Sequence, residues 1–168
     1  FFKGCPLHCV WCNNPEGIDP LPSIMFDERK CHRFGDCISA GKGQITINKG
    51  ILVIDRENIS DAGALRNVCP SKALEVIGRE ISTDELISEI ERDQAFFCMS
   101  DGGVTLSGGE PLSQSPELHD LTSGLRKRNI HVSVETSLHI PWETLETYLD
   151  VIDVFLADLK HTDPLKFL

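Results

Sequence analysis

Cys5-x3-Cys9-x2-Cys12, inside the run Gly4-Cys5-Pro6-Leu7-His8-Cys9-Val10-Trp11-Cys12-Asn13-Asn14-Pro15-Glu16, places three thiols close together in the chain. An iron–sulfur cube normally takes four cysteine sulfurs. No fourth cysteine lies near this run, so one iron would stay open to a substrate or cofactor, and an open position marks catalytic rather than structural metal. The same thiols, with His8 beside them, also match zinc, which is redox-silent and in structural sites usually four-coordinate.

Such a loop needs a scaffold. Phe1-Phe2-Lys3 reads as the tail of a buried strand that delivers the cysteines, and Pro15, Gly17, Pro20 and Pro22 then forbid regular structure. Three segments are expected: 1–20, 21–80 and 81–168. The middle one is compact, with small strands at 45–47 and 51–54 around Asn48-Lys49-Gly50, a hairpin signal. In the third, Ser82-x-x-Glu85 is a capping box ahead of Leu86, Ile87, Ile90 and Phe97 at helical spacing. A strand at 104–106, a helix at 116–128, an alternating strand at 130–134 and a helix begun by Pro141 follow, the last with Leu145 and Leu149 facing inward. Residues 151–159 are nearly continuously apolar, as in a strand covered on both faces.

Strand–helix alternation of this kind implies an α/β fold with a parallel sheet. A full eight-fold barrel takes about 250 residues, so four strands and three helices amount to a truncated partial (β/α) barrel. Polar phrases fall where strands end: Ser107-Gly108-Gly109-Glu110, Glu135-Thr136-Ser137 and Asp158-Leu159-Lys160-His161. In parallel α/β folds that edge holds the active site. Each phrase also has an ordinary reading as a turn, a solvated carboxylate or a surface lysine; His131, His139 and His161 lack ligand spacing.

The chain has 168 residues, 40% of them hydrophobic, and a formal charge of −10. A surface for nucleic acid or anionic lipid requires a basic face, so neither is an expected partner; no membrane-length apolar run or leader is visible, and the cytoplasm is the expected location. Seven cysteines, an odd number with ligand-like spacing, fit reduced thiols better than a disulfide framework. The chain opens at Phe1 without methionine and stops soon after Asp163-Pro164, the expectation being a piece of a longer protein.

The cysteine loop together with Gly108-Gly109-Glu110-Pro111 resembles the radical S-adenosylmethionine superfamily. The phrases Gly102 to Leu112, Val134-Glu135-Thr136 and Asp158 to His161 resemble its glycyl-radical-enzyme activating enzymes, the group containing pyruvate formate-lyase activating enzyme. The resemblance implies a radical-SAM-type partial barrel with a small ferredoxin-like insert. It further implies a 4Fe–4S cluster on Cys5, Cys9 and Cys12 and reductive cleavage of S-adenosylmethionine to a 5′-deoxyadenosyl radical. That radical would take hydrogen from a glycine of a partner glycyl radical enzyme, with flavodoxin or ferredoxin as electron donor. Trp11, Cys12 and Asn13 would line the cofactor, Trp11 on its adenine side, and Gly108, Gly109 and Glu110 would receive its methionyl ammonium. Glu135 and Thr136 would stand near a monovalent cation. Asp158, Leu159 and Lys160 would contact the cofactor, with Asp158 and Lys160 the catalytic pair near the partner's glycine loop. The alternatives are a radical S-adenosylmethionine enzyme acting on a small molecule, and a non-catalytic iron–sulfur electron-transfer fragment. If later strands are missing, the isolated chain binds a brown cluster but cleaves S-adenosylmethionine poorly.

Larger activating enzymes resembling this chain carry two runs of Cys-x2-Cys-x2-Cys-x3-Cys-Pro in the insert, each run's fourth cysteine serving the other cluster. Here the first run reads Cys31, Phe34, Cys37, Gly41 and the second Ile59, Ala62, Leu65, Cys69, so five of eight positions hold other residues. The surviving Cys31, Cys37 and Cys69 belong to one cluster, implying at most one auxiliary iron–sulfur cluster, either a three-iron form or one completed by His32, Asp36 or Cys98. The alternative is an eroded insert with free cysteines.

Overall fold

A computed structural model describes residues 1–163; positions 164–168, the end of the third expected segment, lie outside the described residues. The chain forms two compact units, one from Phe1–Pro20 with Glu80 onward and the other from Leu21–Arg79. The strands are β1 (Ser23–Phe26), β2 (Ile45–Asn48), β3 (Ile51–Ile54), β4 (Leu74–Ile77), β5 (Gly103–Leu106), β6 (His131–Thr136) and β7 (Val154–Ala157). The helices are α1 (Asp36–Ala40), α2 (Ala62–Leu65), α3 (Thr83–Glu91), α4 (Gln94–Ser100), α5 (Glu117–Arg126) and α6 (Trp142–Glu146).

In the first unit β5, β6 and β7 make a parallel sheet in that order, Gly103–Leu106 running beside His131–Val134 and Ser133–Thr136 beside Val154–Ala157. Alternation in β6 sets its faces. Val132, Val134 and Thr136 are buried, while His131, Ser133 and Glu135 point the other way. Leu118, Leu121 and Leu125 recur along α5 at helical spacing and join Leu106, Leu112, Val132, Val134 and Ile87 in one core. The Ser82 hydroxyl caps α3, accepting from Glu85 N at 3.3 Å.

Several expectations change. The helical run from Ser82 to Phe97 is two helices, the backbone leaving helical geometry at Asp93 (φ −96°, ψ 5°), the N-cap of α4. Only Phe2 of the expected first strand pairs, in a parallel bridge to Gly108; Phe1 is exposed, and Gly4 at φ +91° turns the backbone away. Pro141 is the N-cap of α6 rather than its first residue, and the helix stops at Glu146. Leu149 is consequently 47% exposed, and Tyr148, fully buried, fills the core position instead. The strand within 151–159 covers only Val154–Ala157 and is not buried on both faces, since β7 is an edge of the described sheet; Val154 and Leu156 stay exposed while Phe155 packs on the core.

The second unit holds two antiparallel pairs, β1 with β4 and the hairpin β2–β3. Lys49 and Gly50 both adopt positive φ in the hairpin turn, as a two-residue turn of this hand requires. Ile24, Ile45, Leu65, Leu74 and Val76 form its own core. No helix among the described residues is long and apolar enough to cross a membrane.

Candidate functional site

The cysteine loop is closed at its base by two backbone hydrogen bonds, Gly4 N to Gly17 O at 2.8 Å and Cys5 N to Ile18 O at 3.0 Å. Three more fasten that base to the turn after β5: Phe2 N donates to Ser107 O (2.7 Å), Gly109 N to Phe2 O (2.9 Å) and Glu110 N to Gly4 O (2.8 Å). The two glycines permit this approach. A Cβ on Gly108, whose φ is +120°, would sit 2.3 Å from Phe2 O, and one on Gly109 would sit 2.3 Å from Gly4 O. Their smallness therefore admits the chain's own cysteine loop.

Glu110 is the second fastening. Fully buried, its carboxylate accepts from Thr136 Oγ1 (2.7 Å), Ser137 N (2.9 Å), Ser137 Oγ (2.7 Å) and Leu112 N (3.3 Å). It clasps the turn after β5 to the end of β6. The Thr136 hydroxyl donates to Glu110 and accepts from Leu138 N at 3.0 Å, which fixes its orientation. Satisfied networks of this kind hold loops in one geometry.

A cavity of about 510 Å³ opens over these loops. This lies within the usual range for small-molecule sites, about 300–1,000 Å³. Cys5, Cys9 and Cys12 line it together with Trp11, Asn13, Gly108, Gly109, Glu135, Thr136, Asp158, Leu159 and Lys160. The cofactor and loop-cluster residues named from sequence meet there except Glu110, which is buried; His8 is not part of the wall, and Cys98, named as a possible ligand for an auxiliary cluster, is exposed on α4 and does not line the cavity. Glu135 accepts from Ser107 Oγ at 2.6 Å, and Asp158 N donates to Thr136 O at 2.9 Å, tying the three strand ends to one another. Sequence reading passed over Ser107 and Ser137 as partners. Their signal was a small hydroxyl beside a carboxylate phrase.

Electrostatics follow the geometry. Burial pushes the Cys5 thiol above its ordinary range, and the charges of Glu110, Cys9 and Cys12 act the same way, against a backbone hydrogen bond from Leu7. A cationic cluster would relieve that repulsion, because metal binding takes thiols as thiolates. Lys160 donates to Asp158 Oδ2 at 2.5 Å. That bond raises the lysine's proton affinity, with Asp158, Cys9 and Cys12 adding charge attraction and burial opposing. Among the described residues no three His, Cys, Asp or Glu side chains converge on one ion. A cluster instead asks for thiols spread around a cage, each on its own iron, and three thiols bordering a cavity of ligand size fit that demand.

The radical SAM superfamily profile matches residues 1–168. This chain belongs to the radical SAM superfamily. Radical SAM membership implies a 4Fe–4S cluster and S-adenosylmethionine as cofactors. The chain is 35% identical to the (2S)-3-sulfopropanediol dehydratase activating enzyme of Klebsiella oxytoca, over 98% of this chain and 54% of that protein. It is 35% identical to the benzylsuccinate synthase activating enzyme of Thauera aromatica (100% and 53%). It is 37% identical to the choline trimethylamine-lyase activating enzyme of Oleidesulfovibrio alaskensis (97% and 54%). The chain thus spans about half the length of these curated radical SAM relatives.

Proposed function

We propose that this chain is the cluster- and cofactor-binding part of an activating enzyme that generates a glycyl radical on a partner enzyme. The observation that carries this reading is the single cavity shared by the three thiols and the strand-end groups Glu135, Asp158 and Lys160. Its resident group, when bound, supplies one-electron cleavage of S-adenosylmethionine. Cys5, Cys9 and Cys12 would anchor the cluster, and the backbone at Gly108 and Gly109 would face the methionyl ammonium. Trp11 and Asn13 would bound the nucleoside, while Lys160, its charge secured by Asp158, would neutralise the carboxylate or orient the partner's loop. Glu110 acts from below as a positioning residue. Relatives named as activating enzymes over nearly the whole chain support the protein-substrate reading.

The finer parts of the reading follow the same lines. The sheet β5–β6–β7 with the cysteine loop would be one side of a partial barrel, and Leu21–Arg79 a reduced ferredoxin-like insert. A monovalent cation near Glu135 would draw on its carboxylate, on backbone carbonyls and on the lone pair that the Thr136 hydroxyl keeps after its two hydrogen bonds. A flavodoxin or ferredoxin would deliver the electron, and the cytoplasm is the compartment that suits such thiols. An anaerobic mixture of the reduced, reconstituted protein, S-adenosylmethionine and a candidate glycyl radical enzyme should develop a glycyl radical signal by electron paramagnetic resonance. A cluster spectrum indifferent to S-adenosylmethionine would refute the reading.

A further inference from the structure

The two peptide units that lead into Cys5 have all their polar groups engaged. Gly4 N donates to Gly17 O at 2.8 Å and Cys5 N to Ile18 O at 3.0 Å, while Gly4 O accepts from Glu110 N at 2.8 Å. Lys3 O accepts from the side-chain amide of Gln114, Nε2, at 2.7 Å, a contact that spans 111 positions of sequence. The first three partners are backbone. Gln114 supplies the one side chain, so a substitution there removes a fastening without changing the path of the chain.

Gln114 is itself held. It ends the short 3-10 turn Pro111–Gln114, whose start is fixed by Glu110. That residue's carboxylate accepts from Leu112 N at 3.3 Å, and its backbone carbonyl accepts from Ser113 N (3.1 Å) and Ser113 Oγ (2.6 Å). Leu112, fully buried, anchors the turn in the core. On the loop's side, Lys3 Nζ donates to Glu16 O on the returning arm. Gly4 lies between Gln114 and Pro20, since a Cβ added there would stand 3.4 Å from both Gln114 Nε2 and Pro20 Cβ.

Gly4 is also the weak point of the loop's entry. Its φ is +91°, and glycine has more conformational freedom to lose than any other residue. Rotation of the Lys3–Gly4 peptide plane would swing Lys3 O and Gly4 N together, breaking the bond to Gly17 and loosening the backbone from which Cys5 projects. A donor fixed on Lys3 O opposes that rotation. An ionised glutamate of the same length could not serve, because it offers only acceptors. Gln114 does not border the cavity, so any effect it has there passes through Cys5.

We infer that Gln114 is a positioning residue: its amide locks the Lys3–Gly4 peptide and thereby sets where the Cys5 thiol stands in the cavity. The inference rests on the proposed reading of Cys5, Cys9 and Cys12 as the thiols of the cluster.

Gln114→Glu, equal in length but without the donor, is compared with its parent in full-chain C31S/C37S/C69S protein, so that iron on those thiols does not enter the readings. In the metal-free protein the amides of Gly4 and Cys5 should exchange hydrogen about tenfold faster, the worth of one buried hydrogen bond, with Val132 and Val134 in β6 unchanged. After anaerobic reconstitution, iron should pass to a chelator faster by a similar factor. The change that S-adenosylmethionine produces in the electron paramagnetic resonance of the reduced cluster should broaden and shrink; a residue that only stabilised the fold would lower the urea midpoint and leave that spectrum as it was. Gln114→Ala, which removes the donor without adding charge, should act in the same direction and carries the comparison if the glutamate variant misfolds. Unchanged exchange at Gly4 and Cys5 in a folded variant would overturn the inference, as would an equal rise throughout β6. A parent that takes up no cluster would refute the proposed function instead, and exchange in the metal-free protein would still decide the role of Gln114.

Discussion

The two cysteine sites differ in how the chain builds them. Cys5, Cys9 and Cys12 come from one loop, stapled at its base by Gly17 and Ile18 and fastened to the turn after β5. Cys31 and Cys37 are near neighbours in sequence, and Cys69 joins them only because the second unit folds. Their walls differ as well: strand-end polar groups, including Asp158 and Lys160, surround the first, and a largely apolar shell surrounds the second. A polar wall suits a zwitterionic cofactor beside an open iron.

The comparison breaks most sharply on the loop thiols. C5A/C9A/C12A should abolish S-adenosylmethionine-dependent spectral change and any 5′-deoxyadenosine formation, whereas C31S/C37S/C69S should leave the cofactor-induced change in place; chromatography and absorption read both. Next in size is the Glu110 clasp. Glu110→Ala strands the buried donors of Thr136, Ser137 and Leu112, at about 1–3 kcal/mol for each donor left unsatisfied. Urea unfolding should therefore show a loss of several kcal/mol, with Glu110→Gln milder because the amide retains one acceptor.

In the second unit Leu65→Ala should cost about 3 kcal/mol. That loss belongs to the Leu21–Arg79 unit, and hydrogen exchange in β4 would register it while β6 stays protected. A smaller effect is expected at Lys160. Lys160→Ala should weaken S-adenosylmethionine binding on the order of tenfold, the worth of one charge-assisted hydrogen bond, measured by titrating the cluster spectrum. Smallest is a labelling difference in the metal-free protein. Cys12 is exposed and Cys5 is partly buried with its pKa raised. Less Cys5 is thiolate at neutral pH, so iodoacetamide should modify Cys12 first, and the gap should narrow as pH rises through the Cys5 pKa; peptide mass spectrometry follows it.

Much of the first site was legible in sequence because its parts are local. The cysteine spacing needs no tertiary information, and β6 announces its faces through strict alternation of Val132, Val134 and Thr136 with polar residues. What sequence did not disclose is which atoms are already spent. Glu110 reads as a cofactor group but faces inward, and Gly108 and Gly109 make room for Phe2 and Gly4, contacts separated by more than a hundred positions. Leu149 and the run around Val154 depart from the expected burial for a related reason. Apolar character predicts burial only where a neighbour exists, and Tyr148 takes the inner position while β7 has a partner on one side among the described residues. In the second unit the packing of Ile59, Ala62 and Leu65 into the core, and the tight space at Gly41, became visible only in the fold.

Mössbauer spectroscopy of the iron-57 reconstituted, oxygen-free chain, before and after S-adenosylmethionine, bears most directly on the loop cluster. In C31S/C37S/C69S, where only the loop site remains, one iron of a four-iron cluster should change its isomer shift when the cofactor is added while the other three stay as they were. Mononuclear iron alone, or four irons that all ignore the cofactor, would contradict the assignment of Cys5, Cys9 and Cys12 to an open-cornered cluster.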